Sequence, residues 1–323
     1  DSSNYRARMF AKLPWYESLM RPAAPGITSA WYVAKDAAPE WSVCLLEAAL
    51  RYAEAKDLWN LFRQRFEGIS VGDVSLARAN AENREADFTI WEIATELVVA
   101  AYLEYSLGWT FQSYEPLGNA PRRGDWEFIS PSGRRTFVEV KTICEAQWRP
   151  ISGASFRPSQ AARISSLLAR AYRQLPADGR STLVVVVGTD LVRIPFGVIH
   201  GDLFASLFGQ FVVEFNVMTA EPEITYAGPS FREMLVGHTK RRRLGAVAGL
   251  VLRGLSSPAP LFYSIHNPFA HAHARLDGSD FGDCPQFVWT EGTGTETGRN
   301  NADDAWQRVR SALVTSGPCA QIA

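Results

Sequence analysis

Two rhythms of apolar and polar positions run along this chain, and the switch from one to the other marks its elements. From residue 88, "FTIWEIATELVVAAYLEYSLG" is apolar at helical spacing and closes on Gly108, which reads as a helix C-cap. "WTFQSYEP" then predicts a strand. "RRGDWEFISPSGRRTFVEVKTI" (122–143) predicts a hairpin, with two alternating runs about the turn "SPSGRR". "RPSQAARISSLLARAYRQLP" predicts a helix with Ser159 as N-cap and Pro176 as its stop. "STLVVVVGTD" is a continuous β-branched run, the signature of a strand covered on both faces. The order predicted for 88–190 is helix, three strands, helix, strand.

The flanks are less sharply patterned. "PEWSVCLLEAALRYAEAKDLWNLFRQRF" (39–66) predicts one long helix or two joined ones, and "EGISVGDVSLARANAENREAD" a polar connection. Downstream, "PFGVIHGDLFASLFG" predicts a helix, and "GAVAGLVLRG" and "APLFYSIHNPFA" two strands. "TEGTGTETGRNNADD" is expected to be a polar linker before a short helix in "AWQRVRSALV". The chain thus divides into an N-terminal helical region (1–85), an α/β core with additional strands (86–276), and a linker with a short helix (277–323). The fold class expected is α/β, with a mixed central sheet flanked by helices.

Composition narrows the function. The 323 residues are 46% hydrophobic and 21% charged with a net charge of −1, so any polyanion or membrane contact must come from local charge. Cys44, Cys144, Cys284 and Cys319 form no CxxC pair, which argues against a zinc ribbon or disulfide scaffold and for a reduced, cytoplasmic chain. No signal peptide is expected from "DSSNYRARMFAKLPWYESLM", and "TLVVVVG" and "LGAVAGLVL" fall short of the ~20 residues of a spanning helix. The G-x-x-x-x-G-K-[ST] loop of P-loop NTPases does not occur.

The hairpin carries the chemistry. Residues two apart on a strand share a face, so Asp125 and Glu127 point one way on their strand, as do Glu139 and Lys141 on theirs. Neighbouring strands lie about 5 Å apart, so all four groups can meet at one end of a sheet. Crowded carboxylates raise one another's pKa unless a positive charge sits among them. A divalent metal answers this, and Mg²⁺ favours one or two carboxylates with waters and phosphate oxygens. Such a set suits phosphodiester hydrolysis, with metal and lysine balancing charge on the phosphate. Lys141 would also orient the attacking water, or deprotonate it if its surroundings lower its pKa. The competing reading is a solvated hairpin whose outer face is charged.

The pattern "GDWEF…FVEVK" resembles the PD-(D/E)XK nuclease superfamily, which includes restriction endonucleases, junction resolvases and repair exonucleases. That resemblance implies a restriction-endonuclease-like core over about a third of the chain. It implies Asp125 as the motif aspartate and Glu139 and Lys141 as the "ExK". The superfamily's proline before the aspartate is Gly124 here. Members often add a glutamate from the first core helix. Glu92 and Glu96, four apart on one helix face, are the candidates, and Glu96 lies closer to the following strand. Gln160 matches a supporting polar position of resolvase-like members. The expected metal ligands are Asp125, Glu139, Glu96 and Glu127, the expected cofactor is Mg²⁺ with Mn²⁺ as substitute, and dimers are common in such nucleases.

Local charge suits a nucleic-acid partner. Residues 122–174 hold ten basic and four acidic side chains, and three of the four acids belong to the hairpin set. The expected activity is hydrolysis of DNA. The alternatives are an RNA-directed nuclease and a non-catalytic binding module on the same fold. "HTKRRRL" (238–244) is either a second backbone contact or a solvated turn. His266, His271 and His273, with Cys284 beyond, lack a zinc-site spacing, and the histidines read as surface or loop groups. Trp126 and Trp148 flank the hairpin, with core packing favoured over base stacking.

Overall fold

A computed structural model describes residues 49–67, 85–116, 118, 123–143, 161–188, 202–208, 210–215, 222–227, 242–251, 261–290, 293–298, 307–309 and 311–312. Ser159, Gln160, Trp148 and Arg122 lie outside the described residues, as do Cys44, Cys144, Cys319 and most of "HTKRRRL". A helical segment at 49–55 precedes α1 (Trp59–Glu67), and Asp57 at φ 58° makes the break between them. The 39–66 prediction thus resolves, over its described part, into two joined helices.

Next come α2 (Glu85–Tyr105), β1 (Thr110–Tyr114), β2 (Trp126–Ile129), β3 (Arg135–Thr142), α3 (Ala161–Ala171) and β4 (Ser181–Gly188). This is the expected order of helix, three strands, helix, strand. A short helix α4 (Asp202–Phe208) and the strands β5 (Gln210–Phe215), β6 (Pro222–Ala227), β7 (Ala246–Val251) and β8 (Leu261–His266) follow. The last two strands are β9 (Gln286–Thr290) and β10 (Thr293–Thr297).

Eight strands form one mixed sheet in the order β1-β2-β3-β4-β7-β8-β9-β10, while β5 and β6 pair separately. β1, β2 and β3 are antiparallel neighbours, and β3, β4 and β7 are parallel. The parallel centre explains the unbroken apolar run: every residue of β4 is buried. The tail departs from its prediction as a linker. Thr293 to Thr297 pair with β9 at the sheet edge, where a polar strand is compatible with an exposed side. Among the described residues no helix is long and apolar enough to cross a membrane.

Three features place the hairpin. α2 packs on β3, and the hydroxyls of Thr95 and Thr142 lie 2.6 Å apart. At the turn, the Ser132 amide donates to Oδ1 of buried Asp280 at 2.8 Å, tying it to the 3₁₀ segment Gly278–Phe281. Trp126 points from β2 into an aromatic nest, stacked on Phe62 of α1 at 6.0 Å and tilted against Tyr114 at 4.8 Å. Trp126 is therefore a core residue.

Candidate active site

The site forms where β2 and β3 part. Their pairing runs from Ile129↔Arg135 to Trp126↔Val138, so the half of β3 beyond Val138 has no β2 partner. Asp125 bends away at that point, and its Oδ2 accepts the Val140 amide at 2.6 Å. The carboxylate thereby satisfies a backbone donor that the ladder leaves open. Gly124 is needed for this bend. The Phe137 ring lies where a side chain at 124 would begin, so any Cβ would strike it. The residue before the aspartate is thus glycine for a steric reason.

Glu139 and Lys141 project from one face of β3, and their charged ends are ion-paired. Glu139 is fully buried, and its Oε2 has no hydrogen-bond partner by distance and angle among the described residues. Burial pushes its pKa up, with Glu96 adding to the rise. The Lys141 charge is the strongest opposing influence, and the carboxamide of Gln174 acts weakly in the same direction. Asp125 is held well above the usual carboxylate range by burial, then by the charges of Glu139 and Glu96. Lys141 and the Val140 amide pull it down less strongly.

Burial works to lower the pKa of Lys141, but Glu139, Asp125 and Glu92 outweigh it and the ammonium is held charged. In this arrangement the Lys141 ammonium is a hydrogen-bond donor to Glu139. The condition for a base role, a lowered pKa, is not met.

Both α2 candidates reach the cluster. Glu96 accepts a two-pronged bond from Arg65, Nη1 to Oε2 at 2.5 Å and Nη2 to Oε1 at 2.8 Å, and the Tyr114 hydroxyl donates to Oε2 at 3.3 Å. Glu92 is exposed at the rim of the cluster. Partial burial and Glu96 raise its pKa, while Lys141, Arg65 and Arg170 lower it less. Arg65 and Tyr114 escape sequence reasoning. Arg65 lies 31 residues before Glu96, on a helix outside the expected core, and no spacing rule links them.

Glu127 stands apart. It shares the Glu139 face but lies opposite Phe137, a step nearer the turn. Its Oε1 accepts Arg135 Nε at 2.6 Å and its Oε2 accepts Arg180 Nη1 at 2.8 Å. Both oxygens are occupied, so the structure gives Glu127 an ion-pair role and leaves it out of the cluster proposed to bind metal.

One histidine differs from expectation as well. His266 is buried, with Nε2 3.0 Å from Gln286 Oε1, so it is a core group and not a surface one. His271 and His273 stack at 5.3 Å, and Cys284 is a buried free thiol.

Four carboxylates (Glu92, Glu96, Asp125, Glu139) gather around Arg65 and Lys141, with Arg170 near Glu92, so acidic groups outnumber basic ones. Among the described residues no three His, Cys, Asp or Glu side chains form a metal-holding group. Mg²⁺ does not require three, since one or two carboxylates plus waters and phosphate oxygens suffice. Asp125 and Glu139 supply that hard-oxygen pair, and the orphaned Oε2 of Glu139 is an acceptor awaiting a partner. The residues fit a divalent cation.

Comparison with protein families, with curated proteins and with solved structures finds no match to this chain.

Proposed function

We propose that the protein is a metal-dependent nuclease hydrolysing phosphodiester bonds of DNA on a restriction-endonuclease-like core. The observation that carries this reading is the meeting of Asp125, Glu139 and Lys141 in the notch beside β3, where acidic groups outnumber basic ones. Asp125 and Glu139 would hold a Mg²⁺ ion, for which Mn²⁺ would substitute. Bound there, the ion would act as a Lewis acid on the phosphate and make water a usable nucleophile near neutral pH.

The chain's own groups do the rest. Lys141 presents its ammonium where charge builds on the phosphate, and the Glu139 pairing fixes its direction. Asp125 is anchored by the Val140 amide, so one oxygen is fixed before any ligand arrives. Arginines along 122–174 supply contacts to the polyanion backbone that position it without reading sequence.

The test is nicking of supercoiled plasmid with Mg²⁺ or Mn²⁺ by the native chain, Asp125→Asn and Lys141→Ala. Metal-dependent cleavage by the native chain and its loss in both variants supports the reading. Binding of DNA without cleavage by any of the three would move the assignment to a binding module. Cleavage confined to RNA would change the substrate and keep the site.

A further inference from the structure

Helix α1 lies before the expected core, yet it sends one side chain into the acidic cluster. Arg65 occupies both oxygens of Glu96, and its Nη1 also donates to the Tyr114 hydroxyl. Its guanidinium carbon lies 5.2 Å from the centre of the Phe62 ring and 6.0 Å from that of Tyr114. Those rings hold the planar group close to the site through cation–π contact. Arg65 sits in the last turn of α1 and keeps 32% of its side chain exposed, so it has room to turn.

A carboxylate clasped by a two-pronged guanidinium has both oxygens engaged, so a metal there must compete with the bound cation. Glu96 is in that state, although its charge is felt by both Asp125 and Glu139. The two cations therefore compete at Glu96. A dication arriving between Asp125 and Glu139 supplies the positive charge that Arg65 now provides, and it repels the guanidinium. The released fork matches the paired non-bridging oxygens of a phosphodiester, a geometry a lysine would not reproduce.

We propose that Arg65 is the resident counter-ion of the cluster: a divalent cation displaces it from Glu96, and it then binds the substrate phosphate. This rests on the nuclease reading of the same site. It makes metal uptake and phosphodiester uptake cooperative, because the first frees the group that serves the second.

The test needs no turnover. Mn²⁺ affinity is read from the free-ion electron paramagnetic resonance signal. Affinity for a short DNA duplex is read by fluorescence anisotropy, with Ca²⁺ and without metal. The forms compared are the native chain, Arg65→Gln, Arg65→Lys and Glu96→Gln. Arg65→Gln is expected to bind Mn²⁺ about tenfold more tightly and DNA in Ca²⁺ about tenfold more weakly, the effect of about one well-placed charge in each case. Arg65→Lys should bind Mn²⁺ as the native chain does, but DNA less well. Glu96→Gln, which frees Arg65 without metal, should bind metal-free DNA several-fold more tightly than the native chain, and it keeps the question decidable if Arg65→Gln fails to fold.

Unchanged or weaker Mn²⁺ binding by folded Arg65→Gln overturns the proposal while leaving the metal site standing. So does metal-free DNA binding by Glu96→Gln no tighter than native. A native chain that binds no Mn²⁺ refutes the metal reading itself, and this inference with it.

Discussion

The hydroxyls of Thr95 and Thr142 meet at 2.6 Å, joining the helix that carries Glu92 and Glu96 to the strand that carries Glu139 and Lys141. The Thr95 hydroxyl also bonds the Glu92 carbonyl at 3.0 Å, where it can only donate. Its single proton is thereby spoken for, and Thr142 must be the donor of the pair.

A directional prediction follows for this joint. Thr95→Val leaves a buried donor on Thr142 without its acceptor and is expected to cost ~1–3 kcal/mol, whereas Thr142→Val leaves Thr95 still bonded to Glu92 and should cost less. The double variant should be more stable than Thr95→Val alone. Urea denaturation of the three variants measures this, and equal losses in the two single variants would contradict the assigned direction.

Gly124 invites a second test. Gly124→Pro places ring atoms into Phe137 and removes the amide that donates to the Pro116 carbonyl at 3.0 Å. The expected loss is about 3 kcal/mol or more. Gly124→Pro combined with Phe137→Ala should lose less than the two single losses summed, because the clash is gone. Thermal melting of the singles and the double checks this, and simple additivity would mean that the ring is not the obstacle.

Glu127 separates stability from chemistry. Glu127→Gln weakens a buried pair with Arg180, and the expected cost is ~3 kcal/mol. The Arg135 arm is solvent-exposed and adds little. Plasmid cleavage per folded molecule should stay near native. Abolished cleavage in a folded Glu127→Gln protein would return Glu127 to the metal ligands.

The acidic cluster should also mark the pH dependence of stability. Asp125 and Glu139 have folded-state pKa values above their ordinary ones. Such groups stabilise the fold fully below the unfolded value near pH ~4, and the contribution is lost as pH rises through the folded value. Lys141 is raised as well, so its contribution persists until pH exceeds ~10, and that of Arg65, raised from a higher ordinary value, persists further still. His266, lowered by burial, acts oppositely: its contribution is present above ~6.5 and is lost as pH falls through its folded value. The readout is therefore the comparison with Asp125→Asn. Between about pH 5 and about pH 8 this variant should lose less stability than the native chain. The gap between them should grow by about 1.4 kcal/mol for every tenfold by which folding weakens the acidity of Asp125. Parallel urea profiles for the two would refute the raised pKa of Asp125.

How far the sequence discloses this protein varies with distance along the chain. Period-two alternation around "SPSGRR" is enough to find β2 and β3, and an unbroken valine run to find β4, because those signals are local. Asp125, Glu139 and Lys141 come together as strand alternation demands. The same rule places Glu127 with them, and there it misleads, since alternation fixes the face but not the level along the strand. Arg180 lies 53 residues further on and takes Glu127 out of the set. Arg65 is hidden for a similar reason. β10 is hidden for another: an edge strand with polar residues has the composition of a linker.

The segment 49–67 is held to the rest by side chains as well as by the chain itself. Lys56 and Tyr52 grip Glu104, Phe62 stacks on Trp126, and Arg65 clasps Glu96. In the language of fragment complementation, a polypeptide divided between 67 and 85 would yield two halves of a single site. One half would hold the acids and the other the base that neutralises one of them, and the cluster would regain its counter-ion only where both pieces meet.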